Sequence, residues 1–591
     1  MCGIAGTFGY RGERIDVDEL LAVRDAMRLR GPDASGLWSA EDGAVGLAHR
    51  RLSILDLSDA GAQPMDDGRY LIVFNGEIYN HRALREDLEA RGRKFASQSD
   101  TEVLLALFAA EGPAMLARLR GMYAFAIWDR QLRRLFLARD PFGIKPLYYA
   151  DRAGMFRFAS QVKALPRSEI DTTPEPAAHV GFLLWGSVPD PWTLYRGVRA
   201  LPAGHFIWVD ADGATAPQPF ADPVTVFGAA AGAPFRGGRE EALSRIADAL
   251  RDSVAAHLVS DVPVGVFLSA GMDSALLAAE VAALGSRLCT VTLGFDEFAD
   301  STDDEAPLAC EIAATLGAEH ATVRTRREDF LDERERFHAA MDQPTIDGIN
   351  TWFVARAAAS RGLKVVLSGL GGDELFASYP SFRDVPRLNR WCRFPAAIPG
   401  LGRGFRAIAA PLLARYASAS PKYAGLIEFG GTRAGAYLLR RGLFMPWELP
   451  RLMDPEMARE GWRTLEPRAT LAAAAAVPQE RLSISALETS WYMRHQLLRD
   501  ADWAGMAHSL EIRVPLVDWQ LLASVAPLLA GHPDLSKREV VAAAAPNLPA
   551  AVFSRPKTGF SVPVRQWIGA EGHGARAWAR QIYAGFTAGG L

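Results

Sequence analysis

Met1-Cys2-Gly3-Ile4-Ala5-Gly6 opens the chain. A small residue at position 2 lets the initiator Met be removed. Cys2 then carries a thiol and a free α-amino group on one residue. An α-amino group ordinarily titrates at about 7.7–8.0. It is a weak base within reach of the sulfur, so activating the thiol needs no His. A small residue can also simply begin a strand. The residues downstream decide between these readings.

Working outward, polar clusters recur at the ends of short apolar runs. Arg30-Gly31-Pro32-Asp33 reads as a structural turn. Arg51-Leu52-Ser53-Ile54 follows the run at 45–49, and Asn75-Gly76-Glu77-Ile78-Tyr79-Asn80 follows the run at 71–75. Ser99-Asp100-Thr101-Glu102 opens a helical pattern that closes at Gly112. A thiolate adding to a carboxamide creates a tetrahedral oxyanion, which needs preorganised donors. An Asn side-chain amide beside a Gly backbone N–H supplies them, so Asn75 and Gly76 are candidates. An α-carboxylate calls for a planar Arg fork, which Arg51 offers. An α-ammonium calls for a carboxylate, for which Glu77 and Asp100 are candidates. Any one cluster alone is an ordinary turn or surface charge, and Asn-Gly is a common hairpin turn.

In order along the chain, Cys2-Gly3-Ile4, Arg30-Gly31-Pro32-Asp33, Arg51-Leu52-Ser53-Ile54, Asn75-Gly76-Glu77-Ile78-Tyr79-Asn80, Ser99-Asp100 and Arg139-Asp140-Pro141-Phe142-Gly143 form a specific set. The set resembles the glutaminase domain of class II amidotransferases, which are amino-terminal nucleophile (Ntn) hydrolases, over residues 2–205. The resemblance implies a four-layer αββα fold, catalysis by Cys2 with Asn75 and Gly76, and glutamine held by Arg51, Asn75, Glu77 and Asp100. It also implies a glutamyl thioester on Cys2 and release of ammonia.

The 591 residues exceed one core, so two to four domains are expected. Apolar residues at 49% and charged residues at 23% are ordinary globular usage, and a net charge of −4 argues against a nucleic-acid partner. Cys2, Cys289, Cys310 and Cys392 are too few for a disulfide scaffold and lack metal-ligand spacing, which favours a reducing compartment. No leader pattern and no bilayer-spanning apolar run are apparent, so a cytoplasmic protein with no membrane partner is expected. Residues 211–239, rich in Ala, Gly and Pro, read as a linker between domains at 2–210 and 240–591. Beyond residue 240, helical patterns alternate with β-rich runs at 264–268, 288–295 and 364–367. That alternation predicts an α/β domain with a parallel sheet. Past residue 380 the chain reads as mostly helical.

Leu268-Ser269-Ala270-Gly271-Met272-Asp273-Ser274 follows the first of these runs. Ser, Gly and Ser at a strand-to-helix turn aim backbone N–H groups and the positive helix end at an anion. A Ser or Asp opening a helix is more often a cap. A second glycine turn, Ser368-Gly369-Leu370-Gly371-Gly372-Asp373-Glu374, shifts the balance. Asp273 and Asp373 then suit Mg²⁺ carried by phosphate. The first turn resembles the Ser-Gly-Gly-x-Asp-Ser signature of ATP pyrophosphatases, with Ala270 replacing one Gly. With Met506-Ala507-His508-Ser509-Leu510-Glu511-Ile512-Arg513-Val514-Pro515 and Arg555-Pro556-Lys557-Thr558-Gly559-Phe560, residues 240–570 resemble the synthetase domain of glutamine-hydrolysing asparagine synthetases. The resemblance implies an adenine nucleotide α-hydrolase-like fold with added helices, use of ATP and Mg²⁺, and a carboxylate acceptor. It assigns ATP or pyrophosphate to Leu268, Ser269, Gly271, Asp273, Ser274, Leu293, Ser368, Gly369 and Asp373. Asp273 and Asp373 would be the metal ligands. Lys557 would be catalytic, offsetting charge on the α-phosphate. The family allows a homodimer.

One position departs from the family. Asparagine synthetases carry Glu where this chain has Leu370, and relatives that make cyclic amides carry Tyr there. Leu accepts no proton, which weighs against aspartate; the resemblance keeps aspartate as the leading acceptor, with a different carboxylate of about equal standing because of Leu370. Either ammonia needs no base here or a neighbour such as Glu374 substitutes. Two other readings stay open: a cyclase or ligase using an amine already on its substrate, and a sensor that binds glutamine or ATP without turnover. Cys2, Arg51, Asn75 and Asp100 speak against the first, and Asp273, Asp373 and Lys557 against the second.

Overall fold

A computed structural model describes residues 2–413, 420–555, 563, 567 and 574–588. Two antiparallel sheets build the amino-terminal half. In the first, Gly3–Gly9 lies between Val45–Arg51 and Met155–Ala159. In the second, Tyr70–Ile78 and Gly121–Asp129 form the centre, with Arg134–Arg139 and His205–Asp210 beyond. Side chains alternate between the two faces of a strand. Ile4 and Phe8 therefore meet Leu71 and Val73 between the sheets. Ala5 points the other way, into a cluster with Leu20 and Val23 of the helix Val17–Ala26. Ile72 and Phe74 pack outward with the helices His81–Ala90 and Asp100–Glu111. The same period of two turns Asn75 and Glu77 toward the first sheet, where the chain begins.

The carboxy-terminal half holds a parallel sheet in the order Glu319–Thr325, Cys289–Phe295, Val264–Phe267, Val365–Leu367, Glu511–Arg513. The runs read at 264–268, 288–295 and 364–367 are its three middle strands. The outer two escape an apolar-run reading because they are polar. Glu319–Thr325 is a half-exposed edge, and Glu511–Arg513 buries a Glu–Arg pair at 2.6 Å. Helices Arg239–His257 and Met272–Ala283 share one core through Ile246, Leu250, Leu276 and Val281.

Residues 211–239 hold more structure than their composition suggests. Gln218–Pro219 pairs with His205–Asp210, and Pro223–Gly232 is a helix. Asp222 caps that helix by accepting the Val224 N–H at 3.0 Å, Pro223 sits in its first turn, and Phe227 is buried. Its repeated Ala and Gly carry no apolar period and so leave no signal in the sequence. Among the described residues no helix is long and apolar enough to cross a membrane.

Charged groups from the two halves meet in the interior. The Arg120 fork grips Asp518 at 2.9 and 3.1 Å, and Arg139 and Arg499 converge on Asp190 at 2.7 Å each. Lys364 reaches Asp33 at 2.8 Å nearer the surface. Replacing Arg120 with Ala should strand the buried Asp518 carboxylate and cost about 3–5 kcal/mol. Replacing the half-exposed Lys364 with Ala should cost less than about 1 kcal/mol. Calorimetric melting of the two variants checks the ranking, and equal losses would contradict it.

Candidate active site

Cys2 is buried at the head of Gly3–Gly9. Its main-chain N–H donates to Asn75 Oδ1 at 2.9 Å, and its carbonyl accepts Arg30 Nε at 3.1 Å. Burial pushes the thiol pKa up, and a hydrogen bond from the Leu52 backbone draws it down. Asn75 Nδ2 is buried without a partner, so a polar donor is held ready beside Cys2. At Gly76 any side chain would collide with the Met122 carbonyl oxygen. Asp100 opens its helix and accepts the Ile78 N–H at 2.9 Å, and burial raises its pKa. Glu77 is raised further, by burial and then by the charge of Glu511, and its Oε2 has no partner.

Arg51 stands apart from this group. Its guanidinium donates to the carbonyls of Ser58 at 2.8 Å and Leu55 at 3.3 Å, and to that of Asp56. The structure thus gives the fork to its own loop, where three carbonyls converge, and not to an open pocket. Arg30 departs in the other direction. The sequence reading made it a turn residue, yet it is buried and clamps Asp502 of the second half at 2.7 and 3.0 Å. Two further neighbours, Glu511 and Arg513, were named only inside a family motif. Arg513 Nη2 lies 3.5 Å from Glu77, and Nη1 donates to the carbonyls of His257 and Val259 at 2.8 and 2.7 Å. Their alternation around Ile512 is the signal that two charges share one strand face.

In the second half, both glycine turns leave the carboxyl ends of adjacent parallel strands, with Val266 opposite Leu367. Ligands of open α/β sheets bind at such ends. Ser274 Oγ accepts the Ser269 N–H at 3.0 Å and shapes the first turn against the helix Met272–Ala283. A Cβ at Gly369 would come within 2.7 Å of Asp273 Cβ, so the two turns touch only because position 369 is Gly. A cavity of about 490 Å³ opens here. Every ATP-binding residue named from the sequence, Leu268, Ser269, Gly271, Asp273, Ser274, Leu293, Ser368, Gly369 and Asp373, lines it, as does Leu370. Glu374 lines it too, accepting the Tyr379 hydroxyl at 3.0 Å. Burial, then the charge of Asp373, lifts Glu374 to about 8.

The sequence reading missed Lys537. Its ammonium joins Asp373 at 2.7 Å and also Asp273, and these carboxylates hold it charged against its burial. Lys537 opens the helix Lys537–Ala544 behind a Ser536–Glu539 capping box. The cap is legible in Ser-Lys-Arg-Glu, but the distant carboxylates are not. Lys557 lies outside the described residues. Asp273 and Asp373 already share the Lys537 ammonium, so a Mg²⁺ that phosphate oxygens complete would have to share these carboxylates with Lys537. Among the described residues no group of three His, Cys, Asp or Glu side chains forms a metal cage.

Residues 1–221 match the model of the glutamine amidotransferase domain, and residues 245–586 match that of asparagine synthase. A putative glutamine-hydrolysing asparagine synthetase of Mycobacterium bovis is 35% identical, over 96% of this chain and 88% of that protein. Asparagine synthetase 1 of Bacillus subtilis is 32% identical, over 98% and 90%. Asparagine synthetase B of Escherichia coli is 33% identical, over 65% and 66%. The chain is thus an amidotransferase domain joined to a domain of an ATP-dependent ligase class. It belongs to the glutamine-hydrolysing asparagine synthetase family.

Lys537→Met should leave Asp273 and Asp373 facing each other without their shared cation. The expected cost is about 1–3 kcal/mol at pH 7. It should shrink below pH about 4, where carboxylates take up protons. Denaturant melts at the two pH values test this, and a cost independent of pH would contradict it.

Proposed function

We propose that the chain takes the amide nitrogen of glutamine and uses it to amidate a carboxylate activated by ATP, with aspartate the leading acceptor. The observation that carries this is the unpartnered Asn75 amide beside Cys2. A buried donor with nothing to receive it costs stability unless a ligand or transition state uses it. Once Met1 is removed, the α-amino group of Cys2 takes the thiol proton and the sulfur adds to the carboxamide carbon. Asn75 Nδ2 and the Gly76 N–H receive the oxyanion, ammonia leaves, and water releases glutamate from the thioester. Asp100 and Glu77 hold the α-ammonium. Arg51 would have to exchange its loop carbonyls for the α-carboxylate. The two sheets with helices outside each support a four-layer αββα glutaminase at 2–210 and a synthetase at 240–591. We place the enzyme in the cytoplasm, in keeping with its free cysteines.

Ammonia would cross the interface near Arg30 and Asp502, where a narrow void of about 10 Å³ remains. In the second half an acceptor carboxylate oxygen attacks the α-phosphorus and pyrophosphate departs. Ammonia then attacks the acyl carbon, AMP leaves with the bonding electrons, and the extra proton passes to a base. Mg²⁺ on Asp273 and Asp373 would draw charge from the departing pyrophosphate, and Lys537 and Lys557 add positive charge. Glu374 is a carboxyl near Leu370 that could take the extra proton only where it is ionised, toward pH 8 and above. That same Leu370 favours a second acceptor reading, a carboxylate other than aspartate.

Cys2→Ala should abolish amide formation from glutamine and keep it with free ammonia, followed by mass spectrometry with amide-¹⁵N glutamine. Labelled product from the variant would overturn the reading.

Glu374 gives a second test. Below pH about 4.5 folded and unfolded chains both hold its proton, and up to about pH 8 only the folded chain does. Stability therefore falls as pH rises through that window and levels off above it. In Glu374→Gln the Tm should fall less steeply from pH 5 to 8. An equal slope would show that another group is responsible.

A further inference from the structure

A second cavity, of about 210 Å³, adjoins the nucleotide cavity. The two share Asp347 and Tyr492 as walls. At about 30 Å³ per water it would hold roughly seven waters, enough for a ring with a short substituent. Aromatic rings form one part of its wall. Trp185 and Trp491 meet edge to face at 5.2 Å, Tyr437 lies 6.4 Å from Trp185, and Arg441 stacks 3.9 Å over Tyr492.

Trp185, Trp491 and His495 line the cavity, and Trp185 Nε1, Trp491 Nε1 and His495 Nδ1 are buried without a hydrogen-bond partner. Buried indole N–H groups normally find an acceptor. Trp491, Tyr492 and His495 also lie on a π-helical stretch, Glu488–Leu498. Such stretches are rare, and they recur at functional sites. Arg441 is already matched by Glu488 at 2.9 Å, so it supplies a stacking surface and not a free charge.

We propose that this chamber is the acceptor subsite, and that it takes a carboxylic acid with a flat aromatic or conjugated body bearing an oxygen acceptor. The inference rests on the amidotransferase reading and names its acceptor class. The acid's carboxylate reaches past Asp347 and Tyr492 to the nucleotide. Its ring lies among Trp185, Trp491 and Tyr492. Its oxygen receives the indole N–H groups. Leu370 lines the larger cavity, and its apolar side chain suits such a body better than a Glu would.

The test uses the full-length chain with Mg²⁺-ATP. Pyrophosphate exchange is measured with aspartate, succinate, phenylacetate, 4-hydroxyphenylacetate and indole-3-acetate. Quenching of tryptophan fluorescence by each acid is read in parallel. The aryl acids should support exchange at a kcat/KM at least about tenfold above aspartate and quench fluorescence. The quench should be lost in the Trp185→Phe/Trp491→Phe double variant. Trp491→Phe alone should raise KM for 4-hydroxyphenylacetate about three- to tenfold with little change in kcat, the loss of one hydrogen bond. Aspartate preferred, or no quench that depends on the two tryptophans, overturns the subsite. Quenching by aryl acids with no exchange from any acid would support the subsite and sink the amidotransferase reading.

Discussion

The structure depends on charge buried between its two halves. Glu511 and Arg513 pair in the interior with Glu77 beside them, and Arg30 clamps Asp502. Taking an ion out of water costs several kcal/mol unless a well-placed partner meets it. These residues are therefore satisfied in one relative placement of the halves and stranded in others. Hydrophobic contact alone would tolerate sliding. Forked Arg–carboxylate contacts do not, because each fixes two distances at once.

That constraint reaches the chemistry. The carbonyl of Cys2 is held by Arg30, whose fork is held by Asp502. Asp502 sits on the helix Arg499–Met506, beside Asp500, which lines the cavity between the two glycine turns. The Cys2 backbone and a wall of the second cavity are thus two contacts apart. Glu77, on the strand that carries Asn75, faces Arg513 from the outermost strand of the parallel sheet. The electrostatic surroundings of Cys2 are built from both halves, since Glu77 and Glu511 both bear on its thiol. A glutaminase half cut away from its partner would leave Arg30 and Glu77 without their opposite charges.

Local pattern carried a large share of this. The three middle strands of the parallel sheet, the two glycine turns and the helix opening at Asp100 follow from apolar runs, Gly positions and caps, all short-range features. The residues that local pattern misjudged are charged and buried. Arg30 reads as a turn until Asp502 meets it. Lys537 reads as the first residue of a capped helix until Asp273 and Asp373 close on it. Arg51 reads as a free fork until its loop folds back. For such side chains the partner is far away in sequence, and charge says nothing about which partner it will find.

The sequence by itself determined the order of parts: a thiol at the start, an Asn-Gly pair, and two glycine turns after β-rich runs. These depend on residue type and spacing, which folding does not alter. Only the tertiary structure decided which of those groups share a volume. It placed Asn75 against Cys2 through the alternation of one strand and laid two strand ends side by side around one cavity. It also opened an aromatic chamber beside that cavity from segments hundreds of residues apart. Burial and pairing are properties of the folded chain, because each depends on what the rest of the molecule removes from water.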